Sequence, residues 1–208
     1  HIPGNRIMRY DPQAGTCTEF RTGTHATNGL MFDAQGRLYG CQAAQYCIAR
    51  FEPDGSVTQL PNKLDGRRTN RCNDLAIDRK GRIWFTDPFG HRNPESEREL
   101  DHASVLRLDP QPGGNWTLRR MTQDTNSPNG ILFSQDERTL YVAESGYSDQ
   151  WMRELRAYPL RDDDTLGACK VLHTFGKDVR GLHRGVDGMC LDTDGNIIAC
   201  AGWRAAGP

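Results

Sequence analysis

One pattern constrains this chain more than any other: a two-strand phrase written four times. The copies are NGLMFDAQGRLYGCQ from Asn28, NDLAIDRKGRIWFTD from Asn73, NGILFSQDERTLYVAES from Asn129 and DGMCLDTDGNIIACA from Asp187. Each opens on Asn or Asp followed by Gly or Asp. Each continues with an alternating apolar strand: Leu30/Phe32, Leu75/Ile77, Ile131/Phe133, Met189/Leu191. A polar turn follows, one residue longer in the third copy. A second strand then carries Leu38-Tyr39, Ile83-Trp84, Leu140-Tyr141 or Ile197-Ile198. Period-two alternation bounded by turn residues is the signature of a β-hairpin.

A second hairpin recurs between these copies, as IMRYDPQAGTCTEF, IARFEPDGSVTQL, VLRLDPQPGGNWTLRR and, more loosely, ELRAYPLRDDDTLGACKVL. Hairpin plus hairpin makes a four-stranded antiparallel unit, the size of one propeller blade. The openings recur at blade-sized intervals, with insertions such as GHRNPESERELDHA at 90–103. A β-sandwich also alternates, but does not hold so constant a register. The expectation is one all-β domain over residues 1–208, a β-propeller with about four recognisable blades.

In a propeller the first strand of each blade lines the central channel. Asn28, Asn73, Asn129 and Asp187 occupy one column of the repeat just before that strand, so they are expected to converge at the channel mouth. Asn-Gly is also an ordinary turn signal, because Gly tolerates positive φ and Asn nearly does. That accounts for Gly130, and it accounts for Asn28 better than for the others. Three carboxamides and a carboxylate around one point are hard oxygen donors, suited to Ca2+, Mg2+ or Mn2+. No Cys/His spacing favours zinc.

Lys plus Arg number 26 and Asp plus Glu 27, a formal net charge of −1. That balance argues against a nucleic-acid or polybasic membrane-surface partner. No apolar run approaches twenty residues, so no membrane span is expected. The opening HIPGNRIMRY lacks the build of a signal peptide. Of the seven cysteines, Cys41, Cys190 and Cys200 sit in apolar strand-like runs and are expected as buried free thiols. A reducing, cytoplasmic compartment follows from that reading, with a disulfide through Cys17 or Cys169 left open. No G-x-S-x-G elbow is present, and Ser127 and Ser145 have no His nearby in sequence, against a serine hydrolase. His25 and His183 are expected in solvated loops, Trp84 and Trp151 in packing, and RDDD at 161–164 as a solvated turn.

The phrases IPGNRIMRYDP, NRCNDLAIDRKGRIWFTDPFG, SPNGILFSQDERTLYVAES and GVDGMCLDTDGNIIACAG resemble the gluconolactonase/SMP-30 (regucalcin-like) family of six-bladed propellers. The resemblance implies a lactone hydrolase holding one divalent cation at the channel centre. Ca2+ is the first choice, with Mg2+, Mn2+ or Zn2+ behind it. It implies that Asn129 and Asp187 are direct metal ligands and that Asn73 binds metal or substrate. Arg71 contacts substrate oxygens, Asn28 lines the channel, and Asp187 doubles as general base. It further implies a Glu ligand from an EGP or ESP phrase upstream of IPGNRI, before His1. At roughly 50 residues per blade, six blades need about 300 residues, so a six-bladed propeller incomplete at both ends is expected. The expected partner is a small-molecule lactone, and the protein a monomer or weak homo-oligomer. A non-catalytic binding propeller and a phosphotriesterase-like hydrolase are the competing readings.

Overall fold

A computed structural model describes residues 1–90, 94–146, 150–179 and 181–203, without the side chain of Trp203. The first strands are β1 (Arg6–Asp11), β2 (Thr16–Thr22), β3 (Thr27–Phe32), β4 (Leu38–Gln42), β5 (Cys47–Phe51), β6 (Val57–Gln59), β7 (Lys63–Leu64) and β8 (Arg67–Arg68). Then come β9 (Leu75–Ile77), β10 (Ile83–Asp87), β11 (Ser104–Pro110), β12 (Trp116–Arg120), β13 (Pro128–Phe133), β14 (Thr139–Ser145), β15 (Arg153–Pro159) and β16 (Lys170–Thr174). The last are β17 (Lys177–Asp178), β18 (Gly181–Leu191) and β19 (Ile197–Trp203). Pairing is antiparallel throughout. β3-β4-β5-β6, β9-β10-β11-β12 and β13-β14-β15-β16 form four-stranded sheets, and β17-β18-β19 a three-stranded one.

Every repeated phrase supplies the two inner strands of a sheet, and in the three four-stranded sheets the Pro/Gly/Asp hairpin that follows supplies the outer two. Inner strands β3, β9, β13 and β18 touch in that order, so the sheets follow one another around an axis. Among the described residues this is an all-β propeller fold with four blades, the number recognisable in the repeat, and not a six-bladed ring. Each blade needs its own inner hairpin, and four are written in the chain. β1 and β2 pair only with each other, as an outer hairpin.

The inner turns explain why the repeat is legible. Asp33, Asp78 and Asp192 each accept backbone N–H bonds from the residues two and four further on. The residue three further on is Gly36, Gly81 or Gly195, each with φ near +75 to +83 or just below, a region that suits Gly. In the longer third turn Glu137 takes that conformation instead, with φ 57.

Cores form between neighbouring sheets. Trp84 is fully buried, donates its indole N–H to Asp78 at 2.9 Å, and stacks edge-on against Phe133 of the next blade at 5.6 Å. Two expectations need correction. Cys41 is buried, but Cys190 and Cys200 are exposed, because no further sheet covers β18 and β19 among the described residues. Asp164 of the RDDD run is not simply solvated. It accepts Lys80 at 2.7 Å and pairs with Arg82 at 2.8 Å, linking two blades, and these bonds hold its carboxyl below the usual range. All seven thiols are unpaired.

Candidate active site

The repeated column sits on a repeated distortion. Along β3/β4 the pairing passes from Thr27↔Gln42 to Leu30↔Gly40, so Asn28 and Gly29 together oppose one residue. The same two-against-one step places Asn129-Gly130 between Pro128↔Glu144 and Ile131↔Val142. It places Asp187-Gly188 between Val186↔Ala201 and Met189↔Ala199. In the remaining blade Asn73 N–H donates to Thr86 O, and Thr86 N–H donates to Asp74 O, at 2.9 and 3.0 Å. These are β-bulges, which bend a strand and re-aim a side chain. One such bulge per blade carries the column residue.

The turn explanation of the glycines is therefore replaced. Neither Gly29 nor Gly130 has a positive φ. They are small because inner strands meet there. A Cβ on Gly130 would lie 2.3 Å from Asp187 O, and one on Gly29 would lie 2.5 Å from Asp74 Oδ1.

Four of the five expected site residues share one cavity of about 160 Å³: Asn28, Arg71, Asn73 and Asn129, walled by Phe89 and Trp151. Asn28 Nδ2 donates to Asn73 Oδ1 at 3.1 Å, which ties two column carboxamides directly. Asn129 is buried, and its carboxamide makes no hydrogen bond among the described residues, although Thr86 Oγ1 donates to its backbone carbonyl at 2.5 Å. Arg71 passes over Gly90, where a Cβ would lie 3.2 Å from its Cδ, and its guanidinium sits 6.0 Å from the Tyr46 ring. Trp151 is 40% exposed at the cavity edge, so packing does not account for it.

Asp187 is not among the cavity's lining residues. Its side chain is 53% exposed and lies 3.4 Å from Arg184. It is nonetheless adjacent through the backbone, against Gly130. His25 and His183 do not line the cavity either; the ring of His183 stacks on Phe175 at 4.6 Å.

Sequence reasoning missed Asp74. It occupies the position held by Gly29, Gly130 and Gly188 in the other blades, and that exception was the available signal. Asp74 is mostly enclosed and accepts N–H bonds from Leu75 at 2.9 Å and Ile131 at 3.3 Å. Burial pushes its carboxyl up to about 6, the two bonds oppose this, and the nearby Asp187 adds to it. It also borders a second space, of about 430 Å³, walled by Leu30, Leu75, Ile131 and Met189. Cys72, between Arg71 and Asn73, donates its thiol to Cys47 O at 3.2 Å. Burial raises the Cys41 thiol and takes that of Cys47 to about 12, so both stay protonated and are poor metal ligands.

The sequence pattern of the SMP-30/gluconolactonase/LRE-like region matches residues 1–207. A gluconolactonase of Zymomonas mobilis is 28% identical over 220 residues, covering 96% of this chain and 59% of that protein. A diisopropyl-fluorophosphatase of Loligo vulgaris is 30% identical over 168 residues, covering 74% of this chain and 48% of that protein. Among solved structures, a Xanthomonas campestris gluconolactonase superposes with a TM-score of 0.79 at 34% identity, covering 95% of this chain and 63% of that one. The calcium-binding protein regucalcin of Agrobacterium tumefaciens shares the fold, with a TM-score of 0.68 at 19% identity. The chain thus spans about three fifths of the length of the two gluconolactonases. With its repeat, its bulged Asn column and these likenesses together, the chain belongs to the SMP-30/gluconolactonase/LRE-like family of β-propellers.

Proposed function

We propose that this chain carries the centre of a divalent-cation-dependent hydrolase that opens a sugar-type lactone, within a six-bladed ring. The observation that carries the reading is the convergence of Asn28, Arg71, Asn73 and Asn129 on one cavity, where Asn129 is a buried residue whose carboxamide has no hydrogen-bond partner among the described residues. This donor chemistry fits a hard cation, Ca2+ first. Among the described residues no group of three or more His, Cys, Asp or Glu is gathered, so zinc fits least. Asn73 and Asn129 would hold the cation together with Asp187 from the adjoining strand, and a further acidic ligand would complete the set. When bound, the cation supplies Lewis-acid polarisation of the lactone carbonyl and stabilises the oxyanion.

The chain's own residues do the rest. The Arg71 guanidinium, a planar fork, donates to paired hydroxyl or carbonyl oxygens and fixes the lactone's orientation. Asn28, by donating to Asn73 Oδ1, holds that carboxamide in one orientation. Asp187 accepts the proton of the attacking water, and its partial exposure gives that proton a route to solvent. The test is a panel of sugar lactones assayed with and without EDTA, in the parent protein and in Asp187→Ala. Activity lost to chelator and restored by Ca2+ is expected, with Asp187→Ala binding the substrate but hydrolysing it poorly. Lactone opening that is indifferent to both changes would overturn the reading.

A second reading, a phosphotriesterase-type hydrolase, draws on the likeness to the Loligo vulgaris diisopropyl-fluorophosphatase. The same oxygen donors would serve it, and an organophosphate panel run beside the lactones separates the two. A propeller that only binds a partner predicts no turnover on either panel.

A further inference from the structure

The bulges that carry the column are held from behind by acids that the reaction leaves unused. Two residues beyond the partners of Leu30, Leu75, Ile131 and Met189, the second strand of each blade carries Gln42, Asp87, Glu144 or Ala201. Asp87 and Glu144 are fully buried. Asp87 Oδ2 accepts the N–H of Asn70 at 2.9 Å, and Asn70 Nδ2 donates back to Asp87 O at 3.1 Å. Glu144 Oε2 accepts the N–H groups of Asn126 at 3.0 Å and Ser127 at 2.7 Å. Asn70 and Asn126 each stand three residues before a column residue, Asn73 or Asn129. The acids thus satisfy backbone donors of the loops leading into the site.

Each acid has a hydroxyl neighbour that reaches the next blade. Thr86 Oγ1 donates to Asn129 O at 2.5 Å and accepts the Asp74 N–H at 3.1 Å. Ser145 Oγ donates to Val186 O, the carbonyl just before Asp187. So Thr86-Asp87 links Asn73 to Asn129, and Glu144-Ser145 links Asn129 to Asp187. The second carboxyl oxygens, Asp87 Oδ1 and Glu144 Oε1, are buried with no partner among the described residues, which an apolar side chain would avoid.

We propose that Asp87 and Glu144, with Thr86 and Ser145, are positioning residues that set Asn73, Asn129 and Asp187 relative to one another across three blades. They act through the backbone, and the proposal rests on the reading of those residues as cation donors. The test compares Asp87→Ala and Glu144→Ala with Asp87→Asn and Glu144→Gln, whose amide oxygens still accept the same N–H groups. Asp78→Asn is the control: Asp78 is also buried but ties the turn at the far end of its blade. Ca2+ affinity is read by titration calorimetry, and the Asn73 and Asn129 carboxamides by NMR.

Loss of roughly tenfold or more in Ca2+ affinity is expected for the alanine variants, with rescue by Gln and Asn. Asp78→Asn lowers Tm while keeping affinity. Alanine variants that bind Ca2+ like the parent, or a control that weakens binding equally, would overturn the proposal. If the parent binds no Ca2+, the cation reading fails on its own account, and the carboxamide resonances decide. Shifts in the alanine variants that the amides reverse uphold positioning, and unmoved resonances refute it. Should an alanine variant not fold, Thr86→Val removes only one hydroxyl from the same chain of contacts. It must weaken Ca2+ binding or move the Asn129 carboxamide, and a variant that does neither sinks the idea.

Discussion

Gly130 and Gly188 stand at the same position of the repeat, yet only one has a neighbour. A Cβ on Gly130 would meet the Asp187 carbonyl, whereas among the described residues nothing lies within 4 Å of one on Gly188. Neither has a positive φ, so backbone strain does not enter. Gly130→Ala is expected to cost about 1–3 kcal/mol through overpacking, and Gly188→Ala to stay within about 0.5 kcal/mol, both read from urea melts. Equal costs would show that space is not what selects glycine here. The buried acids give a second prediction. Burial pushes Asp87 and Glu144 up to about 7, against backbone N–H bonds that lower them. Between ordinary carboxyl values and about 7, the folded state holds protons that the unfolded chain has released. Stability therefore falls as pH rises through that window and levels off above it. Glu144→Gln should flatten this slope. Denaturation midpoints taken near pH 5 and pH 8 that shift as much in the variant as in the parent would contradict it.

The hairpin was the most legible element. An acid, two residues, a Gly and a second apolar run announced the turn, because the acid's carboxylate closes it and only the Gly accepts its left-handed φ easily. The bulge was not legible as a bulge. Asn-Gly at its centre imitates a turn, and what distinguishes the two is the carbonyl of another blade, which no local spacing reports. Asp74 was passed over for the same reason. Its partner Ile131 N–H comes from the next blade. The four column positions were readable from register alone; three of them line the cavity, and Asp187, on the adjoining strand, does not. Packing between elements centres on Trp84, sealed between two blades with its N–H on Asp78. Trp84→Ala is expected to cost about 3–5 kcal/mol, and Trp84→Phe less. A loss under about 1 kcal/mol for the alanine variant would mean that the blades do not lean on this ring.

For the whole molecule, a cation held between blades should act as a fastener as well as a reagent. Ca2+ at about 100 times its Kd is expected to add about 2.7 kcal/mol of stability, visible as a rise in Tm that EDTA reverses. A melt unchanged by either would count against a site spanning Asn73, Asn129 and Asp187. The hydroxyl contacts of Thr86 and Ser145 run in one direction round the axis, each from a blade to its successor in sequence. That gives the ring a fixed reading order. Shuffling or duplicating an inner hairpin would hand each hydroxyl the wrong carbonyl. The outer hairpins other than the one carrying Asp164, which ties two blades, are where length can change without disturbing the centre, and they are the natural places to insert a tag or a loop.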